Sequence, residues 1–160
     1  MHTINLRTFD QFERPADILV NGQEQDGMDE RVVALHGTGW YSRETDSGSR
    51  WGQSPAEIYV YSDIAQEVTV QVASQLVYDG SDTLGYEIQL QVVVNNSQTS
   101  AQTIGEAGVL MIPTQLEAGW NNITFTSAAG NFAPDAFFPG TGDQRTLSFL
   151  LQWIDIRTLP

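Results

Sequence analysis

Alternation of apolar and polar residues is the feature that most constrains how this 160-residue chain folds. Three valines alternate with threonine and glutamine in residues 67–74, and apolar residues take every second position in residues 88–94. Successive side chains of a strand point to opposite faces, so each segment predicts a β-strand with one buried and one solvent-facing side. Turn residues at 78–82 lie between the two segments, and they predict that these strands form a hairpin.

The rest of the chain also favours strands over helices, because no long segment has apolar residues at helical spacing. Clusters of Gly, Asn and Pro separate the segments, and two long polar stretches, 38–56 and 128–146, are expected to be loops at one end of the fold. The pattern predicts a single all-β domain over residues 1–160, a two-sheet antiparallel β-sandwich of about eight or more strands, jelly-roll or galactose-binding-like, with 1–14 as a frayed or edge segment. Further strand candidates lie at residues 17–21, 31–35, 57–61, 109–112, 122–126 and 147–156.

Charge and composition exclude several functions. The chain has twenty acidic and seven basic residues, a net charge of −13, and neither lysine nor cysteine. Schiff-base chemistry, a P-loop lysine and a thiol nucleophile are therefore absent. An acidic surface repels phosphate backbones and anionic lipids, so we expect no nucleic-acid partner and no direct membrane insertion. No run of about 20 apolar residues and no signal-peptide pattern occurs in the chain.

Aromatic and charged residues are densest between positions 39 and 51. Aromatic faces stack on sugar rings, while Arg and Glu bind hydroxyls, so this segment is a candidate glycan-contact patch. The alternative is that the tryptophans are core anchors and that Glu44 pairs with Arg50 to tie the loop down. The candidate ligand-binding residues are Trp40, Tyr41, Glu44, Arg50, Trp51 and, further along the chain, Trp120.

A second charged motif, Asp143-Gln144-Arg145, precedes the last apolar segment. We expect Arg145 to lie across the end of a sheet, against Glu44 or Asp143, either within a functional patch or as an ion pair that locks a loop. With Glu44 and Arg50, these residues are the candidates for structural ion pairs.

Two acidic loops are weak candidates for calcium, through Asp26 and Asp29 in one and Asp79 and Asp82 in the other. Neither has the EF-hand spacing, although backbone carbonyls could complete a coordination shell. No other cofactor is indicated. The two histidines, His2 and His36, accompany no catalytic motif, so the sequence predicts a protein that is not an enzyme.

The order of several short motifs resembles a known class of module. Over residues 35–157 the chain resembles β-sandwich modules that form extracytoplasmic C-terminal parts of bacterial multi-spanning membrane glycosyltransferases, and their free-standing relatives. Those modules look like galactose-binding or jelly-roll carbohydrate-binding domains. The resemblance implies an accessory module rather than a catalytic one, with a glycan or a parent membrane glycosyltransferase as partner, at a bacterial cell surface or another extracytoplasmic site. The matching positions are Trp40, Tyr41, Glu44, Arg50, Trp51, Asp143, Arg145 and Trp153.

Three functions therefore stand at the level of sequence. The first is a non-catalytic, carbohydrate-binding or glycan-associated accessory module at a bacterial cell surface. The second is a structural or assembly module without a ligand of its own, which would show an apolar surface patch instead of exposed aromatic rings. The third is a small glycoside hydrolase, which would need two carboxylates with separated pKa values in one pocket.

Overall fold

The fold is described from a computed structural model, which describes residues 16–25, 31–78, 84–85, 88–104, 109–127 and 129–159. Within those ranges the chain forms thirteen strands and one four-residue helix, α1 (Pro134–Phe137), so the all-β prediction is confirmed. The strands, in chain order, are β1 (Ile18–Val20), β2 (Gln23–Glu24), β3 (Val32–His36), β4 (Trp40–Arg43), β5 (Arg50–Gly52), β6 (Ala56–Ser62), β7 (Gln66–Tyr78), β8 (Leu84–Gly85), β9 (Ile88–Val94), β10 (Ser97–Ile104), β11 (Val109–Leu116), β12 (Gly119–Ser127) and β13 (Phe149–Thr158).

The strands form two sheets, as the sequence predicts. The eight-stranded sheet has the order β11-β7-β13-β1-β2, with β5 also on β13, β4 on β5, and β8 on β7. The five-stranded sheet has the order β10-β9-β12-β6-β3. All pairings are antiparallel except that of β1 with β13, which is parallel. The predicted two-sheet sandwich is thus confirmed, with one parallel pair added.

The core lies between the sheets and is filled by the alternating apolar residues. The valines of β7 at positions 68, 70 and 72 and the core-facing residues of β9 at 90, 92 and 94 are all buried in one cluster. That cluster also contains Phe125 of β12 and Phe149 of β13, one from each sheet. Burial of apolar area on this scale is the main stabilising contribution in a sandwich.

The predicted hairpin of the two alternating segments is wrong. β7 belongs to the eight-stranded sheet and pairs with β8, β11 and β13, whereas β9 pairs with β10 and β12 in the other sheet. Each strand buries one apolar face in the core. Two strands can do so equally well as neighbours in one sheet or as members of opposite sheets. Alternation therefore identifies the buried face without identifying the pairing partner.

Three strands, β4, β5 and β10, are not predicted by the alternation of apolar and polar residues. β4 and β5 form within the stretch 38–56 that the sequence predicts as loop, and β10 follows a tight turn in which Asn95 and Asn96 both have positive φ. Asparagine tolerates that conformation, which matches the twist of hairpin strands.

Within the described ranges, no helix is long and apolar enough to span a membrane.

Candidate functional site

Two long connecting segments meet at the end of the sandwich where β6 and β13 begin: residues 37–55, which include β4 and β5, and residues 129–148, which include α1. Ser54 and Asn131 join them reciprocally: the Ser54 amide donates to Asn131 Oδ1 at 2.8 Å, and Asn131 Nδ2 donates to the Ser54 carbonyl at 2.9 Å. Ser148 Oγ also donates to the Gly130 carbonyl at 2.7 Å. This loop end therefore has a defined shape and carries most of the residues that the sequence singles out.

Trp51 lies beneath these loops rather than on their surface. It is buried in a small apolar cluster with Phe132, Leu147 and Leu150, against which Tyr41 packs. The rings of Trp51 and Phe132 meet edge to face with centroids 5.9 Å apart. This geometry anchors the loops to the outer side of the eight-stranded sheet and leaves the faces of Trp51 unavailable to a ligand.

Trp40 also packs against the hydrophobic core. Its ring contacts Phe125 and Phe149 edge to face at centroid distances of 6.0 and 5.7 Å, which places it between the two sheets. Its indole nitrogen donates to the Glu57 carbonyl at 2.7 Å. A tryptophan whose N–H is satisfied inside the fold is typical of an anchor, as the structural alternative proposed.

Arg50 does not pair with Glu44, so that prediction is wrong. Arg50 Nε and Nη2 instead bind the two carboxylate oxygens of Asp17 at 2.7 and 3.2 Å, and His36 Nε2 lies 3.2 Å from Asp17 Oδ1. The reason is topological: β7 covers one edge of β13, so β5 and β1 lie one after the other along its opposite edge. Arg50 of β5 and Asp17, which immediately precedes β1, therefore become neighbours although 33 positions separate them.

In this pair Asp17 is buried and Arg50 is half-buried, and the pair reaches the loop end through a hydrogen bond to β4. Burial by itself would raise the pKa of Asp17, but hydrogen bonds and charge from His36 and Arg50 outweigh it and hold the pKa well below its ordinary value. Arg50 Nη1 donates to the Tyr41 carbonyl at 2.8 Å. The pair therefore fixes the backbone of β4 at the position that carries Tyr41.

The accessible charged group at this end, which we term the Arg145 cluster, consists of Tyr41, Glu44, Asp143 and Arg145. Arg145 Nη2 lies 2.7 Å from Asp143 Oδ2, and Nη1 lies 2.9 Å from Glu44 Oε1. Its guanidinium carbon lies 5.5 Å from the centre of the Tyr41 ring. The Tyr41 hydroxyl accepts a hydrogen bond from the Thr146 amide at 3.0 Å. Arg145 thus contacts both carboxylates that the sequence analysis names.

The side chains of the Arg145 cluster remain partly open to solvent, at 27% for Asp143, 35% for Arg145 and 37% for Glu44. The hydrogen bond from Arg145 lowers the pKa of the Asp143 carboxyl, and bonding to Asp143 and Glu44 raises that of the guanidinium. Asp143 and Arg145 are therefore both charged at neutral pH. The surface here consists of two carboxylates and the guanidinium between them, which lies over the Tyr41 ring.

Trp120 lies elsewhere. It is the second residue of β12 and pairs with Tyr61 at the far end of β6, and the two rings meet edge to face with centroids 5.7 Å apart. Both residues alternate with buried ones and so belong to the outer face of the five-stranded sheet, whereas Trp40 packs on its inner face near the start of β6. The structure therefore separates Trp120 from the other candidate residues.

The predicted calcium sites lie outside the described residues, which include none of Asp26, Asp29, Asp79 and Asp82. Within the ranges that are described, no group of three or more His, Asp or Glu side chains is arranged to hold a metal ion.

Comparisons with other proteins give structural similarities only. No protein-family model and no curated protein matches the chain. A family 35 carbohydrate-binding module from Clostridium thermocellum is similar over 80% of this chain and 93% of its own, with 14% identity and a TM-score of 0.47. A module of the same family from Paenibacillus barcinonensis covers 79% and 91%, with 14% identity and a TM-score of 0.44. At this level of identity the likeness concerns the fold alone.

Proposed function

We propose that this protein is a non-catalytic carbohydrate-binding module and that the Arg145 cluster is its sugar-contacting surface. The observation that carries this proposal is the fixed, half-exposed arrangement of Tyr41, Arg145 and two carboxylates at the loop end. Ionised carboxylates accept several hydrogen bonds each, and sugar hydroxyls are their natural donors. Arg145 holds both carboxylates in place before a ligand arrives, which reduces the entropy lost on binding.

The charge of the site indicates the class of glycan. The Arg145 cluster contains two carboxylates and one guanidinium, and the whole chain carries a net charge of −13. Uronic acids and sulfated sugars would be repelled by both, so the ligand is a neutral glycan. Two oriented carboxylates suit neighbouring hydroxyl groups of a sugar ring, each of which donates one hydrogen bond.

The ionisation of the cluster favours binding over hydrolysis. A glycoside hydrolase needs one carboxyl group with a raised pKa, so that it can donate a proton to the leaving oxygen. The pKa of Asp143 is shifted in the opposite direction by Arg145. The same guanidinium also contacts Glu44 Oε1 at 2.9 Å, so it holds both carboxylates in place as hydrogen-bond acceptors.

The wider setting of the module remains a prediction from the sequence resemblance. A bacterial cell-surface or other extracytoplasmic location and attachment to a membrane glycosyltransferase are compatible with a glycan-binding accessory role. Binding near a catalytic domain would raise the local concentration of its substrate, even with weak affinity for each sugar.

Replacing Arg145 should test the proposed site directly. We expect Arg145→Ala to weaken binding of a neutral oligosaccharide by at least about tenfold, since charge-assisted hydrogen bonds of this kind are worth about 1.5–3 kcal/mol and both carboxylates would lose their orientation. Isothermal titration calorimetry against cello-, xylo-, manno- and laminari-oligosaccharides measures the change. The matched control is Arg43→Ala, because Arg43 is an exposed arginine of β4 whose Nε donates to the Gly48 carbonyl at 2.7 Å rather than to a carboxylate of the Arg145 cluster.

The outcomes separate the candidate functions. If the wild-type protein binds a neutral glycan and Arg145→Ala binds it equally well, the Arg145 cluster is not the site. If the wild-type protein binds no glycan in the panel, the carbohydrate-binding proposal fails. The assembly alternative would then take precedence, and gel filtration would measure whether the chain associates with itself.

A further inference from the structure

An exposed tyrosine lies on a different surface from the Arg145 cluster. Tyr59 is in the middle of β6, on the outer face of the five-stranded sheet, and is 37% exposed between buried Ile58 and Val60. Its direct cross-strand neighbours are Leu35 of β3 and Asn122 of β12. Large aromatic side chains usually bury more of their area in a fold of this size, so its exposure calls for a reason.

The Tyr59 ring is held in place rather than free to rotate into solvent. The ring lies directly against Gly37, where a Cβ atom would approach Tyr59 Cε2 to 2.7 Å. Its hydroxyl donates to Glu57 Oε2 at 3.2 Å, and Thr38 Oγ1 donates to the same oxygen at 3.2 Å. A glycine under the ring and a carboxylate at its tip therefore set the orientation of an otherwise exposed side chain.

The polar groups around the ring are those that bind hydroxyls. Glu57 supplies a carboxylate, and Asn122 supplies an amide at the directly opposite position, about 5 Å away between Cβ atoms. The charge of Glu57, and then the hydrogen bond to it, raise the pKa of Tyr59, so the phenol stays a donor at neutral pH. An aromatic face bordered by a carboxylate, an amide and a hydroxyl combines stacking with hydrogen bonding.

We infer that Tyr59, with Glu57, Thr38 and Asn122, forms a second sugar-binding platform for a neutral glycan chain on the outer face of the five-stranded sheet. This inference rests on the proposed carbohydrate-binding function and adds a second site to it. The platform stacks one sugar ring on Tyr59 and accepts hydroxyl donors at Glu57. Two sites on one chain would bind separate stretches of a polysaccharide and raise the retention of the module by avidity.

The test is isothermal titration calorimetry with a hexasaccharide of the oligosaccharide type, among the cello, xylo, manno and laminari series, that the wild-type protein binds. We expect about two sugar molecules per wild-type chain and about one for Tyr59→Ser, with affinity at the Tyr59 site reduced at least about tenfold by loss of the aromatic ring. Tyr59→Phe keeps the ring and should retain most of the affinity. The matched control is Met111→Ser, because Met111 is similarly exposed, at 54%, on a strand of the other sheet.

Each result bears on one site. If Tyr59→Ser has the stoichiometry and affinity of the wild type, the second platform is overturned, while loss of binding in Arg145→Ala would still support the proposed function. If Tyr59→Ser loses one site and Arg145→Ala loses the other, both are supported. If the wild-type protein binds none of the hexasaccharides, both fail together. Thermal melting of each variant, with an unchanged transition for Tyr59→Phe, separates loss of the platform from loss of the fold.

Discussion

We expect Asp17→Asn to lower the free energy of unfolding by about 3 kcal/mol, measured by urea denaturation at pH 7. Asp17 is the buried counter-charge of Arg50, and removing one partner of a buried ion pair leaves the other charge uncompensated, at a cost of about 3–5 kcal/mol. The lower end of that range applies because Arg50 keeps 17% of its side chain in solvent. The carbonyl of Tyr41 also loses its fixed donor if Arg50 shifts.

The same carboxylate predicts a pH dependence. Since the pKa of Asp17 is lower in the folded than in the unfolded protein, its contribution is complete above the ordinary Asp pKa of about 4 and is lost as the pH falls through the folded value. The wild-type protein should therefore lose stability more steeply than Asp17→Asn below about pH 4. Asp46→Asn, at an exposed carboxylate, is the matched control. Equal stability of the two variants at pH 7 would contradict the assigned role of the buried pair.

Gly39→Ala is expected to destabilise the protein by about 3 kcal/mol or more. Gly39 has φ +92°, which L side chains rarely adopt, and a Cβ atom would lie 2.5 Å from the Pro55 carbonyl oxygen and 2.7 Å from Ala56 Cα. The conformation costs about 1–2 kcal/mol for an L residue, and the clash with backbone atoms adds about 1–3 kcal/mol. Because Gly39 leads directly into β4, the strain would also displace Trp40 and Tyr41.

The two costs can be separated with a second glycine. Gly140 has a similar φ of +97°, and a Cβ atom there would meet nothing within 4 Å, so Gly140→Ala should show the conformational cost alone. Differential scanning calorimetry of both variants measures the difference. If Gly39→Ala melts no lower than Gly140→Ala, the close approach of the loop to Pro55 and Ala56 is not a constraint on the fold.

The candidate site shows which contacts a sequence makes visible. The contact of Arg145 with Asp143 spans two positions, so it is a local property of the loop. Its contact with Glu44 spans 101 positions, and only the presence of both residues in polar stretches suggested it. Tyr59 carries no such signal, because within an alternating segment a solvent-facing tyrosine looks the same whether its ring is fixed or free.

The alternation of apolar and polar residues is enough to predict a sandwich of two sheets and the core-facing residues of β7 and β9. Alternation along a strand is a local property, since every second side chain points the same way. The pairing of β7 and β9 in different sheets, the partner of Arg50 and the separation of Trp120 from Trp40 were decided only by the tertiary structure. Each depends on which strands share an edge or a face, and many arrangements of strands bury the same alternating residues equally well.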